Sequence, residues 1–384
     1  MSVDVFLTEA QRELAHRARS WVEQHIYSDP GKEDEDIDQE GLRLLAKVTE
    51  GGWTSYVVPA QFGGVEKTVE TRSLAVIREE LARGSSLADS MFALQGLGSF
   101  PITLAGTEAQ KKRYLPAVGV GEAVAAFALT EPQAGSDVSA ITTRAQKKAD
   151  RYIINGTKCF ISNAGIAATY IIFASTDPGA GSKGLSAFVV EGSSPGLKLK
   201  EKTALIAPHP NGSIELKDCE VAESQRLGEE GQGIKIALTT LDKFRPTVGA
   251  AACGLAGRAL KESLHTARER RQFGSPIAEF QAIQFKLADM ATELDASRLL
   301  VYRAAHARDT QEGRTTLESA MAKLFSTEAA QRIVDQAVQI HGGRGVTKGS
   351  VVERLYREVR ALRIYEGTSE IQHLVIAREL LERA

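Results

Sequence analysis

Ala125-Ala126-Phe127-Ala128-Leu129-Thr130-Glu131-Pro132-Gln133-Ala134-Gly135-Ser136-Asp137 is the stretch at which the pattern of the chain changes. It begins as an unbroken apolar run and continues in hydrogen-bonding and turn-forming residues, the signature of a short buried strand entering a loop. Runs of the same kind follow at Tyr152–Ile154, Tyr170–Ala174, Ser186–Val190 and Ser213–Leu216, split by Gly, Pro, Asn and Asp. Asn155–Gly156, directly after one such run, reads as a tight turn. The segment from about Gly121 to Leu227 is therefore expected to form an antiparallel barrel or sandwich.

On either side the period changes to that of helices. Upstream, Phe6, Leu7, Leu14, Ala18, Trp21, Val22 and Ile26 recur at three-to-four spacing, Thr8 with Gln11 forms a capping box, and Pro30–Gly31 ends the helix. Asp38 to Glu50 and Thr71 to Arg83 read as further helices, Leu87 to Ala105 as a buried apolar segment, and Thr107 to Leu115 as a short exposed helix stopped by Pro116. Downstream, Ile234 to Glu269 is interrupted only by Pro246, and Phe280 to Asp309, Thr316 to His341 and Ser350 to Leu362 follow with short connections, as in a helix bundle. The expected fold class is α+β: an N-terminal helical domain (1–122), a central antiparallel β domain (123–228) and a C-terminal four-helix bundle (229–384).

Composition narrows the function. The 384 residues are 43% apolar and 25% charged, which suits a globular chain and excludes a disordered one. With 47 basic against 49 acidic side chains the net charge is −2, so the surplus a sequence-independent nucleic-acid binder needs is missing. No apolar run approaches the ~18 residues of a membrane span. Cys159, Cys219 and Cys253 have no metal-ligand spacing and make a poor disulfide framework, which fits a reducing compartment. Asp4, Glu9 and Glu13 speak against a secretory or mitochondrial leader, and a cytoplasmic location is expected.

Four motifs carry chemistry. The Thr130–Asp137 loop can offer backbone N–H groups and hydroxyls to a polar ligand, although alone it is an ordinary connector. Gln339-Ile340-His341-Gly342-Gly343-Arg344-Gly345 follows a helix rather than a strand, so it is no dinucleotide fingerprint of the Rossmann kind; its glycines end a helix or admit a pyrophosphate. In Arg363-Ile364-Tyr365-Glu366-Gly367-Thr368-Ser369-Glu370 a carboxylate stands in an interhelical loop, where apolar walls raise its pKa and make it a general base. Leu241-Asp242-Lys243-Phe244-Arg245-Pro246 and Arg270-Arg271-Gln272-Phe273-Gly274 present arginines suited to phosphate or carboxylate, or to a solvated helix face.

In this order the motifs resemble one family over essentially the whole chain, the FAD-dependent acyl-CoA dehydrogenases. The matching signatures are Ala128-Leu129-Thr130-Glu131-Pro132 with Gly135-Ser136-Asp137, Asn155-Gly156-Thr157-Lys158, Arg270 to Gly274, Phe280-Gln281-Ala282-Ile283-Gln284, and the Glu366-Gly367-Thr368 loop. The resemblance implies that Phe127, Leu129, Thr130, Gly135 and Ser136, with Phe160, Ile161 and Ser162, line the flavin. It implies that Arg270, Phe273 and Gln281 reach the same FAD from a neighbouring subunit. Gln339, Gly342 and Gly343 cradle another part of the cofactor, and Thr368 and Glu370 also touch it.

The implied reaction is α,β-dehydrogenation of an acyl-CoA thioester. Glu366 takes the α-proton, flavin N5 takes the β-hydride, and electrons pass to an electron-transferring flavoprotein. Some relatives carry the base at the position of Phe244, which cannot accept a proton, so the choice falls on Glu366. Ser136, Asp242, Phe244, Arg245 and Gly367 are implied substrate contacts, with no metal, and the assembly is a homotetramer. The segment Leu205 to Ser213 departs from the family pattern near the carrier path, which keeps an acyl carrier protein open as carrier. Asp89 and Gln95 suggest a polar pocket floor for a short, cyclic or polar acyl group, with a buried capping role for Asp89 weighed equally. An oxidase and a non-catalytic flavin-binding interaction protein are the alternatives, and retention of Glu366 argues against the latter.

Overall fold

The computed structural model describes residues 3–27 and 36–383. The Pro30–Gly31 stop lies outside the described residues. The chain divides into two compact units, each built from interleaved segments: a helical unit of Met1–Pro30, Thr71–Asp89 and Asp242–Ala384, and a sheet-bearing unit of Gly31–Glu70 and Ser90–Leu241.

The helical unit contains α1 (Glu9–His25) and α3 (Thr71–Gly84). The long α6 (Gly233–Glu269) enters it at Asp242, and α7 (Gln281–Thr310), α8 (Thr316–His341), α9 (Val351–Arg360) and α10 (Ser369–Arg383) complete it. Thr8 and Gln11 form the capping box at the start of α1. Leu14, Ala18 and Val22 bury its apolar face, which packs on α3. α7 packs on α8, and α8 carries α9 and α10. Pro246 lies inside α6 without breaking it. A proline has no N–H for the carbonyl four residues back, and that carbonyl, Asp242 O, instead accepts from Ser319 Oγ of α8 at 3.2 Å.

The sheet-bearing unit holds α2 (Ile37–Glu50), most of α4 (Ser86–Ala105), α5 (Glu108–Gly119) and a mixed sheet. Its strands are β1 (Ala125–Ala128), β2 (Arg144–Lys148), β3 (Arg151–Ser162), β4 (Thr169–Ser175), β5 (Leu185–Glu191), β6 (Leu197–Lys202), β7 (Asn211–Ala222) and β8 (Arg226–Leu227). The order is β6-β7-β3-β2-β4-β5-β8, with β1 added to β4. The antiparallel pairings expected are present, and β1 and β2 add parallel contacts to β4. Every residue of β4 is buried, the continuous apolar pattern of a strand covered on both faces.

Two local expectations fail for identifiable reasons. Asn155–Gly156 is not a turn: β3 runs through it with a register shift against β7 between Ile154 and Gly156. A Cβ at Gly156 would meet Thr143 Oγ1 at 2.3 Å, and the Asn155 side chain clamps Asp218 of β7, accepting from its N–H at 2.7 Å. The turn that joins β2 to β3 is Ala149–Asp150, with Ala149 at φ 53°. Pro116 does not stop α5, which continues to Gly119; the Pro116 carbonyl still accepts from Val120 N, and Leu115 and Val118 anchor the last turn in the core. The hairpin of β9 (Arg271–Gln272) and β10 (Ser275–Pro276) turns on Phe273 and Gly274, both at positive φ, as a two-residue hairpin demands.

Candidate active site

In the helical unit, the loop Tyr365–Thr368 joins a short 3-10 turn (Ala361–Arg363) to α10. Glu366 sits at φ 53° and Gly367 at φ 93°. A non-glycine residue held left-handed costs roughly 1 kcal/mol or more, and such strain is kept where surroundings enforce it. Here three elements enforce it. Arg245 Nε of α6 donates to Glu366 O at 3.2 Å, Lys323 Nζ of α8 donates to Gly367 O at 2.7 Å, and Gln372 Nε2 of α10 donates to both carbonyls at 3.3 and 3.0 Å. A Cβ at Gly367 would lie 2.6 Å from Gln372 Nε2 and displace that amide, and its φ of 93° itself favours glycine.

The Glu366 carboxylate itself is left free. Its Oε2 is buried and has no hydrogen-bond partner among the described residues. Burial pushes its carboxyl above the usual range, more than the nearby Arg78, Arg245 and Lys323 cations pull it down; Asp89 adds to the upward push. Arg245 Nη1 is held by Asp242 Oδ1 at 2.6 Å, and Asp242 Oδ2 accepts from Thr316 Oγ1 at 2.8 Å. Arg78 grips Asp89 in a two-pronged pair, both bonds 2.8 Å, and reaches Thr247 Oγ1 at 2.9 Å. Asp89 is thus a buried ion-pair partner. Phe244 is fully buried in α6, one position from Arg245.

The remaining candidates of this unit are surface residues. Arg270 Nη1 donates to His341 O at 3.0 Å, beside Gly342, whose Cβ would lie 3.0 Å from the same nitrogen. Gln281, Gln339, Gly343 and Glu370 are exposed, and Thr368 Oγ1 accepts from Ile371 N at the head of α10. Phe273 is 97% exposed at the hairpin tip, an arrangement an isolated chain does not favour.

In the sheet-bearing unit the Thr130–Asp137 loop is fixed from beneath. Glu131 is buried and takes four hydrogen bonds: Lys158 Nζ at 2.8 Å, Thr143 N at 3.0 Å, and Thr142 N and Oγ1 both at 2.7 Å. Lys158 is fully buried and also donates to Leu129 O at 3.0 Å, while Cys159 N donates to Thr130 O at 3.0 Å. These bonds turn Gly135 and Ser136 outward, and a Cβ at Gly135 would meet nothing within 4 Å. Phe160 stands 63% exposed at φ 54° in the register shift between Lys158 and Ile161. Ile161 is buried, Phe127 half-buried against Phe173, Leu129 buried, and Ser162 Oγ lies 3.0 Å from His209 Nε2. An exposed aromatic beside open backbone fits a planar, polar-edged cofactor. Glu131 and Lys158 were legible as motif residues only; their pairing is a feature of the folded strand. Gln95 forms no pocket floor, because its amide is spent on backbone: Ala125 N at 2.8 Å, Ala123 O at 2.8 Å and Val118 O at 3.4 Å.

Among the described residues no cluster could hold a metal ion, and no helix is long and apolar enough to cross a membrane. The three cysteines are free and buried.

Comparison with known proteins gives three family matches: residues 8–122 to the acyl-CoA dehydrogenase N-terminal domain, 126–219 to its middle domain and 231–381 to its C-terminal domain. A 3-(aryl)acrylate reductase of Clostridium sporogenes is 41% identical over 98% of this chain and 100% of its own. A chain from a structure titled as the electron transferring flavoprotein of Acidaminococcus fermentans superposes with TM-score 0.92 at 37% identity, covering 98% of each. Butyryl-CoA dehydrogenase of Megasphaera elsdenii superposes with TM-score 0.91 at 35% identity, covering 98% of this chain and 99% of that one.

Proposed function

From the premise that the chain belongs to the acyl-CoA dehydrogenase family of oxidoreductases, we propose that it removes hydrogen across the α,β-bond of an acyl-CoA thioester with Glu366 as the base. The observation that carries this reading is the Glu366 carboxylate: half-buried, its Oε2 buried and without a hydrogen-bond partner among the described residues, and held in a strained loop by Arg245, Lys323 and Gln372. A thioester α-hydrogen is a very weak acid, so the base must be desolvated and aimed. Burial raises the Glu366 pKa above the usual carboxylate range, which makes it a stronger base. The backbone N–H of Glu366 is the proposed donor to the thioester carbonyl, where negative charge develops. Phe244 offers no proton acceptor, while Asp242 fixes Arg245 and through it the loop.

FAD is the cofactor, and when bound it supplies the two-electron acceptor for the β-hydrogen. On the sheet-bearing unit Phe127, Leu129, Thr130, Gly135, Ser136, Phe160, Ile161 and Ser162 are the residues proposed to hold the flavin. On the helical unit Thr368 and Glu370 are proposed to contact the cofactor. Gln339, Gly342 and Gly343 are proposed to hold its pyrophosphate and adenine portion. Exposed Arg270, Phe273 and Gln281 are proposed to serve the FAD of a neighbouring subunit in a homotetramer, with an electron-transferring flavoprotein as redox partner. Domain limits at 1–122, 123–228 and 229–384 belong to the same proposal. The reductase relative favours a second reading in which the same groups run in reverse, protonated Glu366 delivering the α-proton to an enoyl thioester.

The test is anaerobic mixing of the FAD-loaded protein with a panel of acyl-CoA and enoyl-CoA thioesters. E366Q should keep its flavin and lose at least ~100-fold in the rate of flavin reduction. Reduction at the parental rate would refute the assignment.

A further inference from the structure

Three cations surround Glu366, and two of them already have acidic partners. Arg78 of α3 is paired with Asp89, and Arg245 of α6 with Asp242. Lys323 of α8 is different: it is fully buried, its Nζ donates to the Gly367 carbonyl at 2.7 Å, and no carboxylate lies within ion-pair distance among the described residues. One neutral carbonyl does not repay the burial of an ammonium group. That carbonyl, moreover, already receives Gln372 Nε2 at 3.0 Å. The acid that most favours its ammonium is Glu366; Arg245 of α6 opposes it, and Glu328 of α8 and Glu370 of α10 give smaller help. Burial still pulls the ammonium down to about 8. In return Lys323 favours the ionised form of Glu366, together with Arg78 and Arg245 and against Asp89; Tyr365, the neighbour in the loop, lies near Arg78.

We propose that Lys323 is a positioning residue for the base: its ammonium pins the Gly367 carbonyl, and with it the left-handed turn at Glu366, and among the described residues it is the buried cation near the Glu366 carboxylate that no acid pairs at ion-pair distance. This rests on Glu366 being the base. A lysine that merely filled space in α8 would do neither.

Three variants separate the two functions. K323Q keeps a donor and removes the charge, K323M removes both, and K323R keeps the charge. The Glu366 carboxyl is followed in the FAD-loaded protein without substrate, as the infrared carbonyl band absent from E366Q, and titrated against pH. The midpoint should rise by about one pH unit in K323Q and K323M, because an opposing charge is lost, and stay near the parental value in K323R. The rising limb of the pH profile for flavin reduction should move by the same amount in K323Q, with the rate recovering above the new midpoint. K323M should be slow at every pH, since the loop is no longer pinned; if it yields no folded flavoprotein, K323Q and K323R carry the test. An unmoved carboxyl titration in K323Q overturns the proposal. If E366Q itself reduces flavin at the parental rate, it is the base assignment that fails, whatever Lys323 does.

Discussion

Replacing Lys158 by methionine removes one half of a buried ion pair and leaves the other. In the parent, Glu131 is held at about 2 against an ordinary 4.5; the Lys158 ammonium and the Thr142 and Thr143 donors outweigh the burial that acts against it. Burial draws Lys158 the other way from its own interest, down to about 8 from 10.5. Burial opposes both charges, while their mutual attraction and the threonine donors offset it, so the intact pair contributes little net. Removing one member is another matter. In K158M the carboxylate keeps its two threonines and loses its counter-ion, and the Leu129 carbonyl loses a donor. The expected cost is about 3–5 kcal/mol, a fall of several degrees in the thermal midpoint of the holoprotein. E131Q/K158M, which strands no charge, should recover most of it. FAD retention should fall in K158M, because Lys158 holds the Leu129 carbonyl at the start of the loop. The parent should also lose stability as pH drops from about 4.5 toward 2, where Glu131 is protonated in the unfolded chain before the folded one, and E131Q should flatten that slope. Thermal melts of parent, both singles and the double across pH decide the matter. A K158M midpoint equal to the parent, or a double variant that falls by the sum of the singles, refutes the reasoning.

R270A should retain FAD less well after dialysis, since Arg270 is exposed and anchored on the His341 carbonyl rather than on an acid; unchanged flavin content would count against a cofactor role. G367A should slow flavin reduction at least tenfold with little loss of flavin, because a Cβ there meets Gln372 Nε2 at 2.6 Å and the φ of 93° disfavours alanine; stopped-flow reduction beside an absorbance spectrum reads both.

Periodicity and capping made much of the fold legible. The Thr8–Gln11 box announces α1, and the apolar runs at Tyr170 and Ser186 announce β4 and β5, because local burial pattern and turn chemistry act over a few residues. What was hidden depends on distant partners. Asn155–Gly156 carries a turn signal that β7 overrides through Asp218, and Pro116 carries a stop signal that the core contacts of Leu115 and Val118 override. Gln95 looked like a pocket residue and is a backbone bridge to β1. At the candidate site the interhelical loop that carries Glu366 was legible. Lys323 was not, since nothing in a regular amphipathic helix marks the lysine whose nitrogen meets a carbonyl of another loop.

The central claim is that the Glu366 carboxylate takes the proton next to the thioester carbonyl. A 3-thia-acyl-CoA has no β-carbon hydrogen to give, so exchange of its α-hydrogens with deuterated water isolates that step from every later one. The FAD-loaded parent should wash deuterium into the α-position, and E366Q, with its flavin intact, should leave the analogue unlabelled over the same time. Equal exchange by the two proteins would contradict the account.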